Sequence, residues 1–255
     1  MMRDPRTAPC PCRGRPRLFP LEGRFMTTAV HGKPSILLVH GAWHGAWCWD
    51  KLVPALTAQG WHTLTVDLPS ASMGSNETAG MYDDARVIRA RLEEVDGPVT
   101  ILAHSYGGVP VTEAAASAPN VSRILYLAGF QLDEGASLVS ESGGQLPNGD
   151  TGTLPVPDNP AKALFSDITA EEADRAVQRL VPQSIRSFSE ALTAAAWKTV
   201  SSRYIVCEHD EMLPPAYQES MGKRADRLYR LPSGHSPFLS MATDLAELIT
   251  ADADS

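Results

Sequence analysis

Val99-Thr100-Ile101-Leu102-Ala103-His104-Ser105-Tyr106-Gly107-Gly108 is the stretch that decides the fold. Residues 99–102, apolar and β-branched after Gly97-Pro98, read as a strand, and the Ala-rich residues 108–118 read as a helix. Ser105 sits on the turn between them. A serine on a sharp strand-to-helix turn exposes its hydroxyl at the end of the sheet, and small residues two positions to either side let the backbones pack closely. Ala103 and Gly107 occupy those positions. Ala103 stands where glycine is usual, a departure that needs only a Cβ-sized gap. Ser105 is therefore the candidate nucleophile.

A serine hydroxyl needs a base to take its proton, and the base needs a third group to fix its tautomer. On this kind of scaffold the chain order is Ser, then Asp or Glu, then His. Arg227-Leu228-Tyr229-Arg230-Leu231 reads as a last strand, followed by the loop Pro232-Ser233-Gly234-His235 and an amphipathic helix over 238–249. His235 is the candidate base. His31 and His62 precede strands, His40 and His44 belong to another loop, His104 adjoins the nucleophile with its side chain directed elsewhere, and His209 neighbours the candidate acid. That acid is Asp210, because the strand Tyr204-Ile205-Val206-Cys207 ends in Glu208-His209-Asp210-Glu211. Asp133, after the preceding strand, is the alternative.

Two backbone N–H donors must meet the oxyanion, each worth about 2.7–4 kcal/mol in measured cases. The amide of Tyr106, directly after the nucleophile, supplies one. The apolar run Ile36-Leu37-Leu38-Val39 leads into His40-Gly41-Ala42-Trp43-His44-Gly45-Ala46-Trp47, and the amide of Ala42 supplies the other. Gly41 allows close approach of the backbone.

With these blocks in place, the chain resembles the α/β-hydrolases of the plant methyl esterase and hydroxynitrile lyase group and their bacterial relatives. The resemblance rests on residues 40–47, on Lys51-Leu52-x-Pro54-x-Leu56, on Val66-Asp67-Leu68-Pro69, on residues 103–108, and on Tyr204-Ile205-Val206-Cys207 with Asp210. It covers residues 26–255. It implies carboxylic ester hydrolysis by a triad of Ser105, Asp210 and His235, without metal or organic cofactor, with a homodimer as the assembly it points to. Lyases of the group place Thr directly after the histidine that opens the oxyanion loop and Lys directly after the catalytic His. Here those positions hold Gly41 and Ser236, so no charge meets a leaving cyanide, and no cyanohydrin cleavage is expected. A slow-turnover ligand receptor on the same fold is a further reading, separated from the enzyme by steady turnover of a simple ester.

The rest of the chain fits one α/β domain. Its 255 residues, 43% hydrophobic, can build a substantial core. Strand-like and helical runs alternate, which favours a mainly parallel sheet covered by helices on both faces. Met81, Ala85, Ile88, Leu92 and Val95 recur at helical spacing and form one buried stripe. Residues 130–198 break the alternation and are expected to form a helical cap. Its markers are a Gly/Pro/Ser-rich approach over 143–160, a capping box opened by Thr169, and a helical segment over 188–197. Gly41 and Trp43 from the oxyanion loop and Phe165 and Trp197 from the cap are assigned to substrate, with Leu164, Phe188 and Leu192 as further apolar candidates.

Composition excludes several classes. The net charge is −8, and six Arg with only Asp4 and Glu22 in residues 1–25 concentrate the acidity in the remainder, which argues against a nucleic-acid partner. That Arg/Pro-rich segment cannot bury itself and lacks a signal-peptide core, and Met26 reads as the start of the domain proper. No apolar run approaches the eighteen residues of a membrane span. Cys10 and Cys12 alone do not make a metal site, and Cys48 and Cys207 read as buried thiols, a usage that fits a reducing cytoplasm. The expected partner is a small-molecule ester.

Overall fold

The apolar runs pair into a parallel sheet in a computed structural model that describes residues 35–71, 78–144 and 152–254. Segment 1–25, with Cys10, Cys12 and the Met26 start, lies outside the described residues. Strands β1 (Ser35–Val39), β2 (Thr63–Val66), β3 (Val99–His104) and β4 (Val121–Leu127) form its first part. After them β5 (Thr153–Leu154) and β6 (Gln183–Ser184) make a separate antiparallel pair. Strands β7 (Ser202–Cys207) and β8 (Arg227–Leu231) complete the sheet in the order β2-β1-β3-β4-β7-β8.

Side chains of a strand alternate between faces, and the four central strands use both faces for core. Leu37, Val39, Ile101, Ala103, Ile124, Tyr126, Tyr204 and Val206 join helix Met81–Glu93 on one side. Ile36, Leu38, Leu102, Leu125, Leu127, Ile205 and Cys207 join Leu245 and Ile249 of helix Ala242–Ala253 on the other. Each fully buried aliphatic side chain contributes roughly 1.5–3 kcal/mol. The outer strand β8 is mostly exposed, as its Arg-x-x-Arg content requires.

The connections leave β1 in opposite directions, outward to β2 and back past β1 to β3. The carboxyl ends of β1 and β3 are thus the point where strand order reverses, where open α/β sheets bind their ligands. The 40–47 loop and the Ser105 turn emerge there side by side. Their packing leaves no room for a side chain at Gly107: a Cβ would lie 2.5 Å from the His40 carbonyl oxygen and 3.0 Å from that of Val39.

Two predicted helices are divided. The segment over 188–197 is a short helix, Arg186–Ser189, and a separate 3₁₀ turn, Ala196–Lys198. Between them the Leu192 amide bonds the Ala136 carbonyl, and the amides of Thr193 and Ala194 bond the Glu113 carboxylate, so these donors are taken from any helical ladder. The C-terminal segment divides at Met241 into Pro237–Ser240 and Ala242–Ala253. The Thr169 cap forms as expected, its hydroxyl accepting from the Glu172 amide. Among the described residues no helix is long and apolar enough to cross a membrane.

Replacing Gly107 with alanine tests the close approach of the two turns. Overpacking against rigid carbonyls costs about 1–3 kcal/mol, and a chain of this size loses about 2–4 °C of Tm per kcal/mol. Thermal unfolding of Gly107→Ala is expected to start several degrees below wild type, and an unchanged Tm would contradict the packing.

Candidate active site

Ser105 follows β3 with φ of 52°, in the left-handed region that residues with a Cβ rarely adopt. Such a conformation costs on the order of 1–3 kcal/mol and persists only where its surroundings fix it. The Phe130 amide donates to the Ser105 carbonyl at 3.0 Å, and the 3₁₀ turn Ser105–Gly107 runs straight into helix Gly108–Ala115.

Strands β7 and β8 are parallel neighbours, so the loops at their carboxyl ends also emerge together. They bring Asp210 and His235 into contact, with His235 Nδ1 2.7 Å from Asp210 Oδ2 and both residues buried. A carboxylate only accepts, so Nδ1 of the imidazole is the donor of this bond. No hydrogen bond joins Nε2 to Ser105 Oγ in this structure. Asp210 is itself held by three donors: the amides of Met212 and Leu213 on Oδ1, and the fully buried Gln218 Nε2 on Oδ2, each at 2.8 Å. Asp133 sits at the surface, where Lys198 at 2.5 Å holds its carboxyl below the usual range.

The loop that carries His235 is fastened from three sides. His104 Nε2 donates to the His235 carbonyl at 2.9 Å, the His209 amide donates to the Ser233 carbonyl at 2.9 Å, and the Gly234 amide donates to the Asp167 carboxylate at 2.7 Å. Asp167 lies in the long segment between β4 and β7, so that segment grips this loop. His104 is directed away from the cavity, as expected, and acts as a support.

The peptide between Gly41 and Ala42 is fixed by its carbonyl end. His40 Nδ1 donates to the Gly41 oxygen at 2.8 Å, while its Nε2 accepts from the Leu68 amide at 3.0 Å. In a planar trans peptide the carbonyl and the following N–H point in opposite directions, so holding the Gly41 oxygen aims the Ala42 N–H the other way. The next peptide is clamped too: His44 Nδ1 donates to the Ala42 oxygen at 2.7 Å, and the Trp43 amide donates to Gln183 Oε1 at 3.2 Å. A Cβ on Gly41 would lie 2.9 Å from Ser105 Cβ, which measures how near this loop passes to the nucleophile. Burial lowers the pKa of His40, of His44 to about 3, and of His104 well below the usual imidazole range, so all three are neutral supports.

Behind these turns lies a polar network that sequence reading missed. Asp84, in helix Met81–Glu93, is fully buried and accepts from Tyr106 Oη, Ser70 Oγ and the Ser70 amide. Gln183 of β6 donates to Ser70 Oγ and Ser187 Oγ, each at 2.7 Å, while its other end holds the Trp43 amide. The residue after the nucleophile, the oxyanion loop and the cap are thereby tied to one carboxylate. The available signal was spacing, since Asp84 lies three residues after Met81 and four before Ile88, within the buried stripe.

Ser105 opens onto a cavity of about 260 Å³. Ala42, Trp43, Tyr106 and Phe188 line it. Phe165 and Trp197 do not. Phe165 is buried in the cap's own cluster, edge-on to His44, and the Trp197 indole turns to the Leu132 carbonyl beneath Lys198 and Arg224. Gly41 has no side chain to present and contributes its backbone beside Ser105. The remaining apolar wall comes from Phe130, Met212 and Leu213 on loops, from Leu138 of the short helix Leu138–Glu141 and from Tyr217 of helix Pro215–Gly222. A second groove, about 250 Å³ between Trp47 and the cap, has no nucleophile, and its Lys51, Arg175 and Arg179 are ion-paired. Among the described residues no group of His, Cys, Asp and Glu could hold a metal ion.

Residues 36–248 match the alpha/beta hydrolase family. Among curated proteins, a carbendazim hydrolyzing esterase of Nocardioides sp. is 28% identical over 243 residues, covering 85% of this chain and 98% of the relative. Methylesterase 9 of Arabidopsis thaliana is 26% identical over 252 residues, covering 86% and 97%. Among solved structures, an Arabidopsis methylesterase superposes with a TM-score of 0.75 at 26% identity, covering 87% of this chain and 99% of that one. A pyrethroid hydrolase of Sphingobium faniae gives 0.74 at 25% identity, covering 87% and 98%.

The buried network has a titration that can be read. Burial lifts the Asp84 carboxyl to about 6, against the hydrogen bonds from Ser70 and Tyr106. In the unfolded chain the group titrates near 3.9. Between about pH 4 and pH 6 the native state therefore keeps a proton that the unfolded chain has lost, and this contribution to stability fades as pH rises through that window. Urea unfolding of wild type and Asp84→Asn from pH 4 to 8 is expected to show wild type losing on the order of 2–3 kcal/mol relative to the variant by about pH 7. Wild type gaining stability relative to the variant as pH rises, or an offset independent of pH, would contradict the assignment.

Proposed function

Because the chain belongs to the alpha/beta hydrolase family, we propose that it hydrolyses carboxylic esters of small apolar or aromatic compounds through an acyl-enzyme on Ser105. His235 Nε2 takes the Ser105 proton as Oγ attacks the carbonyl carbon, and the same nitrogen then protonates the departing alkoxide. Asp210 holds the imidazole in the tautomer this needs and balances the imidazolium. The amides of Ala42 and Tyr106 receive the developing oxyanion. Water, activated by His235 in a second cycle, releases the acid and restores Ser105. Two observations support the reading, the buried Asp210–His235 contact and a serine held at positive φ. Relatives named as esterases and methylesterases support the hydrolytic class. A cyanohydrin lyase is disfavoured: Gly41 offers no hydroxyl, Ser236 no charge, and no Lys or Arg among the described residues lines the cavity.

A panel of p-nitrophenyl and methyl aromatic esters, run beside mandelonitrile, tests this reading. Steady, repeated turnover of at least one ester is expected, with no aldehyde release above the spontaneous rate. Ser105→Ala is expected to lower kcat by on the order of 10⁶, and Asp210→Asn by about 10⁴ through the wrong tautomer, while Asp133→Asn changes little. Retained activity in Ser105→Ala, or a larger loss in Asp133→Asn than in Asp210→Asn, would overturn the assignment.

A further inference from the structure

We propose that the cavity prefers esters whose end remote from the scissile carbonyl carries a protonated amine and disfavours those ending in a carboxylate, with Glu141 as the specificity-determining group. This rests on the esterase reading. The ring-bearing residues Trp43, Tyr106, Phe130, Phe188 and Tyr217 line the cavity with Ser105, and among the described residues that line it Glu141 alone carries a charge. The rings form two connected walls, with Trp43 and Tyr106 each against Phe188 at 6.2 and 5.4 Å and Phe130 against Tyr217 at 6.3 Å. Aromatic faces attract an ammonium within about 6 Å and offer nothing to a carboxylate.

Glu141 ends the short helix Leu138–Glu141, which Ser137 caps by accepting from the Ser140 amide. Its Oε2 accepts from the Tyr217 hydroxyl at 3.0 Å, and it takes part in no ion pair among the described residues. Burial and this carboxylate push the Tyr217 pKa up to about 12, so the phenol stays neutral and keeps donating. The cation that acts on Tyr217 from outside is Arg224, and it is committed elsewhere, donating to the Gln131 carbonyl and lying over Trp197. An ammonium is therefore the complement this rim lacks, and a carboxylate would meet like charge. Because Glu141 is exposed, salt screens its effect to a few-fold, and the rings add a similar factor.

The test compares methyl 4-(aminomethyl)benzoate, methyl 4-(hydroxymethyl)benzoate and methyl 4-(carboxymethyl)benzoate, each kcat/KM divided by the ester's own hydroxide-catalysed rate. Wild type is expected to favour the ammonium ester over the carboxylate by about tenfold, with the hydroxymethyl ester between them. Glu141→Gln is expected to bring that ratio to within about threefold, and Glu141→Lys to move it further toward the carboxylate. A wild-type ratio near one, or a ratio that Glu141→Gln leaves unchanged, overturns the proposal. Tryptophan quenching of Ser105→Ala by benzyltrimethylammonium and by phenylacetate reads the preference without turnover. Selective ammonium binding with no hydrolysis of any ester would sink the esterase reading and leave the selectivity standing, whereas hydrolysis without selectivity would do the reverse.

Discussion

Two turns that leave the sheet at the carboxyl ends of β1 and β3 pass so close that neither tolerates a side chain at its contact, and the site depends on that approach. Gly107 lies against the His40 carbonyl and Gly41 against Ser105. The approach follows from topology, since β1 and β3 are paired in register and strand order reverses between them. It sets a strained serine beside the Gly41–Ala42 peptide. The strain at Ser105, on the order of 1–3 kcal/mol, is offset by a sheet whose central strands are buried on both faces.

Around this contact the protein places neutral polar groups rather than charges. His40, His44 and His104 are buried, uncharged, and each spends an N–H on a backbone carbonyl of the site. Such bonds orient peptides without the desolvation penalty that a buried ion would carry. Asp210 faces His235, Asp84 lies behind the turns, and Glu141 lies on the exposed side of the cavity. The insertion is part of this arrangement: Asp167 holds the His235 loop, and Gln183 holds the Trp43 amide.

The parallel sheet was legible because its central strands are short, largely apolar runs, which two covered faces make nearly continuous. Ser105, Asp210 and His235 stood out for the same reason, each lying just past the end of such a run. Asp84 was hidden because a carboxylate in an amphipathic helix is ordinarily solvated, and only the Ser70 and Tyr106 hydroxyls, distant in sequence, make its burial tenable. Gln218 and Gln183 carry no local pattern at all. In the cap, aromatic side chains can face the cavity, the sheet or one another, and composition does not choose: Phe188 reached the cavity, Phe165 filled the cap's own core, and Trp197 turned to the Leu132 carbonyl.

Covalent trapping tests whether Ser105 is the nucleophile. The protein is incubated with an alkyl fluorophosphonate, its intact mass is measured, and the modified residue is located by peptide sequencing. One phosphonyl group per chain is expected, bonded to Ser105, with labelling greatly slowed in His235→Ala. Labelling at another residue, or none under conditions that inactivate serine hydrolases generally, would contradict that role.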